Sequence, residues 1–205
     1  MSGSYSPVPE LNALKDFQDS LGGRSFAPGF ELFTYNDELD WFCGEAPDAY
    51  LDRLVPFAYA TSSGSYYALW RCDDRTDLAT LPVIFFGDEG DLRVKANDVR
   101  ELLRLLAVEP DDPDDRARLA CERQRYRVWL RQNLGLTPLG DVSDASDVSN
   151  ASDASDVSDV SGVSGVSDKA LAEHTRRFAA WVSEFASDAL LEHVLAALDL
   201  DASSR

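Results

Sequence analysis

The chain has 205 residues, 44% apolar and 10% aromatic, enough for one core of roughly 130–150 residues. Its 37 acidic side chains against 19 basic ones leave a net charge of −18, which repels nucleic acid phosphates and anionic lipid and attracts a basic partner. No apolar run reaches the ~18 residues of a membrane span, and no basic segment with an apolar stretch behind it opens the chain, so neither a membrane nor a secretory route is expected.

In chain order, Pro9 to Leu21 predicts a helix with Leu11, Leu14, Phe17 and Leu21 on one face and Gly22-Gly23 as the stop. Phe30 to Tyr35 alternates apolar and polar residues and predicts a half-buried strand. Asn36 to Phe42 reads as a capped helical turn or a loop. Leu54–Ala60 and Tyr66–Cys72 predict two strands, joined by Thr61-Ser62-Ser63-Gly64-Ser65, a connection of hairpin length containing glycine. Leu81–Phe86 and Leu92–Ala96 predict two more, with Gly87 to Asp91 turning between them. Asp98 then caps a helix running through Leu106.

A charged break at Pro110 to Asp115 precedes a helix from Pro113 to Leu134, with Val128-Trp129-Leu130 and Leu134-Gly135-Leu136 expected to dock on the body. From Val142 to Asp168 nine triplets of (Val/Ala)-Ser-(Asp/Asn/Gly) follow. Their period of three matches neither helix nor strand, and single Val or Ala residues cannot offset the entropy of ordering so polar a run. The segment reads as a disordered linker with a reach of about 30 Å. Asp168 to Leu198 predicts amphipathic helices, with Leu171, Phe178, Trp181, Val182, Phe185 and Leu190 at three- and four-residue steps. The expected organisation is a domain over 1–140, a linker over 141–168 and a helical segment over 169–205 that docks on the domain. Hairpin-linked strands followed by helices indicate an α+β fold, with a mainly antiparallel sheet of about four to six strands flanked by helices.

Cys43, Cys72 and Cys121 form an odd set without a C-x-x-C pair, so they read as buried reduced thiols in a cytoplasmic protein rather than a disulfide framework. His174 and His193 lie 19 residues apart and fit no metal-ligand spacing. Nucleophile elbows and phosphate-cradling glycine loops are missing, and paired acids such as Asp73-Asp74 are expected in the turns of so acidic a chain. The expectation is no catalytic residue, no metal and no cofactor.

Two stretches suit a binding surface. Residues 31–52 hold seven acidic side chains and no Lys or Arg, interleaved with Trp41, Phe42 and Tyr50. Aromatic anchors ringed by one sign of charge are what a fast, specific contact with a basic protein needs; the alternative is that the rings are core and the acids a solvated rim. Asp37, Glu38, Asp40 and Trp41 are the candidate partner-binding residues. Tyr66-Tyr67-Ala68-Leu69-Trp70 places aromatics on both faces of a strand, one face core and the other covered by a helix or free for contact.

The strand ending in Pro56-Phe57-Ala58, the glycine turn, the Tyr66-Tyr67-Ala68-Leu69-Trp70 strand, the Leu81 to Gly90 strand and turn and the Asp98 to Ala107 helix together resemble the SUKH superfamily. That superfamily comprises cell-wall-assembly-regulator-like proteins, many of them bacterial immunity proteins. The resemblance covers residues 26–107 and extends weakly to Tyr126–Leu136, while the family's N-terminal Leu-Pro helix and Asn-Gly turn are not present. It implies an antiparallel α+β fold, no catalytic residues, and an immunity function in which a toxin domain, often a nuclease, is bound and neutralised. Sixteen Arg against three Lys fit a bacterial source. The other readings are a regulatory scaffold binding an endogenous protein and a hydrolase with a carboxylate site of unfamiliar form.

Overall fold

The structure, a computed structural model, describes residues 4–37, 47–88, 91–139 and 162–185. Strands β1 (Glu31–Leu32), β2 (Leu54–Tyr59), β3 (Tyr66–Trp70), β4 (Val83–Phe86) and β5 (Leu92–Ala96) form one sheet in chain order. Each is antiparallel to its neighbour. Helices α1 (Pro9–Ser20), α2 (Asp48–Leu51), α3 (Val99–Leu106), α4 (Pro113–Leu134) and α5 (Gly162–Val182) complete it, so the fold is α+β with an antiparallel sheet.

Local chemistry sets the ends of these elements. Asp98 accepts from Glu101 N at 2.7 Å, and the Glu101 carboxylate reaches back to Asn97 N at 2.6 Å, which fixes the first turn of α3. α4 begins with Asp112 accepting from Asp114 N and with Pro113 in its first turn. It stops at Gly135, whose φ of 64° turns the chain so that Leu136 N reaches Leu130 O. The pairing of β2 with β3 shifts between Pro56 and Ala58; a proline has no N–H for the ladder and is accommodated at such an irregularity.

The register puts alternate residues on opposite faces. Val55, Phe57, Tyr67, Leu69, Val83 and Phe85 face α1, α3 and α4, where they meet Leu11, Leu14, Phe17, Leu102, Tyr126 and Leu130. Leu54, Ala68, Trp70, Ile84, Leu92 and Val94 face the other way and are closed over by Phe178, Ala179 and Val182 of α5. Trp70 meets Phe178 edge-on at 5.1 Å, so the second face of β3 is covered by a helix.

Four expectations are corrected. Only Glu31–Leu32 of the Phe30–Tyr35 stretch is strand: Asn36 takes a left-handed φ of 57° and donates its N–H to Pro56 O, which turns the chain off the ladder. Val128 is exposed while Trp129 and Leu130 pack, because three consecutive helical residues sweep about 200° and cannot share one face. Cys121 is exposed and Cys72 half-buried, so the thiols are not uniformly core; Cys43 lies outside the described residues. Finally, α5 starts at Gly162 and takes in residues 162–168 of the presumed linker, since extending an anchored helix costs far less than nucleating one. The rest of the linker lies outside the described residues.

Candidate functional site

The acidic tract begins on the β1 edge of the sheet. Glu31 lies opposite Tyr59 and Leu32 opposite Ala58. Phe33 N then donates to Phe57 O and Asn36 N to Pro56 O, so the chain runs beside β2 toward the end where β2 begins. There α2, just ahead of Leu54, adds Asp48 and Asp52. Glu31, Asp37, Asp48 and Asp52 are all exposed, and none is ion-paired among the described residues. Some acids elsewhere are paired locally, Glu10 with Arg100 at 2.9 Å, Glu122 with Arg24 and Arg125 at 3.0 and 2.8 Å, and Asp91 with Arg93 at 3.0 Å, while Asp16, Asp77, Asp111 and Asp114 have no ion pair among the described residues either.

Of the candidate contacts, Asp37 stands exposed at the end of the β1 turn. Glu38, Asp40 and Trp41 lie outside the described residues. Tyr50 is 8% exposed and stacked on Trp181 at 4.8 Å with the rings 7° apart, so it is a core residue. Phe33, Tyr59 and Tyr66 form an aromatic group at the far end of β2, with centroids 4.9 to 6.0 Å apart. Tyr59 keeps 37% of its surface exposed there.

The chain matches no protein-family model, no curated protein and no solved structure. Beyond β3, Arg75 forks onto the Asp73 carboxylate, with Nε 2.6 Å from Oδ1, and holds Asp73 well below the usual carboxylate range. Burial first, then the Asp73 charge, pushes the neighbouring Cys72 thiol up, which leaves it protonated at neutral pH. His174 on α5 makes a hydrogen bond to Asn97 Oδ1 at 3.1 Å, and burial depresses its pKa. Burial also pushes Tyr67 up to about 12, against the pull of Arg93. Among the described residues, no group of three or more His, Cys, Asp or Glu side chains is arranged to hold a metal, and no helix is long and apolar enough to cross a membrane.

A concave feature apart from the acidic edge escaped the sequence reading. α4 and the turn before it form an open surface cavity of about 410 Å³ lined by Arg116, Arg123 and Arg127, with Arg123 the buried one of the three. The signal was present: Arg123 stands four residues after Leu119, three before Tyr126 and seven before Leu130, on the inner stripe of the helix.

Proposed function

We propose that this protein is a binding module of the immunity type, which neutralises a basic toxin domain by presenting an acidic edge to it. The observation that carries the reading is the set of exposed carboxylates at Glu31, Asp37, Asp48 and Asp52, none ion-paired among the described residues, in a stretch of sequence without Lys or Arg and beside a sheet whose two faces are both covered. With the faces occupied by helices, the sheet meets solvent at its two edges, and these acids lie at the β1 edge. Unpaired charge of one sign raises the rate of encounter with the opposite sign by about 10- to 1000-fold at low salt. A nuclease, whose active site must hold phosphates, is the basic partner best suited to it. Asp37 with Glu38, Asp40 and Trp41 supplies the proposed contacts, the ring as anchor and the acids as mimics of phosphate charge. The proposed setting is the cytoplasm of a bacterium, and the resemblance to the SUKH superfamily supports the same reading.

The test is inhibition of the toxin domain encoded beside this gene, using the full chain and a variant carrying Asp37→Asn, Glu38→Gln, Asp40→Asn and Trp41→Ala. The expected result is inhibition by the native chain and a loss of about ten-fold or more in the variant. Equal inhibition by both would remove these contacts from the proposal.

A further inference from the structure

Arg123 is only 1% exposed, yet its Nε and both terminal nitrogens lack any hydrogen-bond partner. A guanidinium stripped of water and offered no acceptor is strongly unfavourable, and folded chains seldom keep one without a ligand to complete it. Its side chain lines the cavity between α4 and the preceding turn, with Glu109, Pro113, Arg116, Ala120 and Arg127.

The neighbouring cations are already fixed. Arg127 Nε donates to Ala107 O at 2.9 Å, and Arg116 donates to Pro110 O at 3.1 and 3.3 Å. Glu109 stands 3.5 Å from Arg116 and 3.8 Å from Arg127, long for ion pairs, and is half exposed. Arg116 and Arg127 thus share the loosely held Glu109 carboxylate, while Arg123 feels the charges of Glu109 and Asp115 without a hydrogen bond to either, on a chain whose net charge is −18.

We propose that this cavity binds a small organic oxyanion, a carboxylate or a phosphate monoester, with its charged head on Arg123 and its apolar body along Ala120 and Pro113. The planar guanidinium fork matches either head group bidentately. The cavity volume falls in the range of about 300–1,000 Å³ that holds small molecules. The negative field of the whole chain works against a polyanion at the same place, so the ligand carries few charges. Glu109 competes with the ligand for Arg116 and Arg127.

Calorimetric titration of the full chain with phenyl phosphate and with benzoate, at low salt, tests this. At least one probe is expected to bind at millimolar concentration or below, phenyl phosphate more tightly for a phosphate ligand and benzoate for a carboxylate. Arg123→Met is expected to weaken that binding about ten-fold or more and to raise the Tm of the unliganded protein. Glu109→Gln, at an exposed position, is expected to tighten it several-fold. Absence of binding of either probe to the native chain at ~10 mM would overturn the proposal. So would undiminished affinity in Arg123→Met, a lower Tm in that variant, or unchanged or weakened affinity in Glu109→Gln.

Discussion

Gly29 approaches β1 at a φ of 64°, and a Cβ there would sit 2.5 Å from Thr61 Cα and 2.6 Å from Ser62 N. Left-handed backbone costs a side chain about 1–2 kcal/mol, and forced overlap with backbone adds about 1–3 kcal/mol. Gly29→Ala should therefore lose at least about 2 kcal/mol in denaturant unfolding; a loss below the error of the method would show that the hairpin yields. Arg123 has the opposite sign. Removing a buried, unpartnered cation with Met should gain about 1–3 kcal/mol, read in the same experiment. His174 adds a dependence on pH. Burial first, then Arg177 and Arg75, depress its folded pKa, against the opposing charges of Glu173 and Asp73. The unfolded chain takes up its proton first, so stability is full above the unfolded value of about 6.5 and declines as pH falls from there toward the folded value. His174→Gln should flatten that decline, and an unaltered profile would assign it to other groups. None of these three roles was legible from a residue type alone. Arg123 is one of 16 arginines, and only its helical phase with Leu119, Tyr126 and Leu130 marks it as inward.

Elements were legible where punctuation and period agreed. Asp112-Pro113 and Gly135 bracket α4, and the predicted bounds of Pro113 and Leu134 match the observed ones. Asp98 capped α3 as its position before Val99 implied. β1 was overread because alternation over six residues does not reveal that Asn36 turns the chain away. The four-residue apolar run Val83–Phe86 carried a further message: a strand without polar alternation is buried on both faces. α5 supplies the second cover, through Phe178, Trp181 and Val182 over Trp70. Phe178→Ala should then cost about 3–5 kcal/mol. Val128→Ala, on the outer face of α4, should stay within about 0.5 kcal/mol. Thermal or denaturant unfolding of the two variants compares them directly. Equal small effects would mean that α5 adds little to the stability of the sheet.

At the scale of the whole molecule, charge and architecture act together. Helices take both faces of the sheet, which leaves its two edges, β1 with the exposed acids beside it and β5 with exposed Arg93, toward solvent. The same acids discourage a second copy from pairing along that edge, since like charges would meet. Net charge was readable by counting, but its placement was not: Glu10, Glu122 and Asp91 pair with arginines, whereas Glu31, Asp37, Asp48 and Asp52 are exposed without an ion pair among the described residues. The most direct measurement is the stopped-flow association rate with the neighbouring toxin domain across a salt series. It compares the native chain with a variant carrying Glu31→Gln, Asp37→Asn, Asp48→Asn and Asp52→Asn. The native rate should drop at least about ten-fold from low to high salt, and the variant should be slower at low salt with a flatter response. Identical rates and slopes for the two chains would contradict an electrostatic role for this edge.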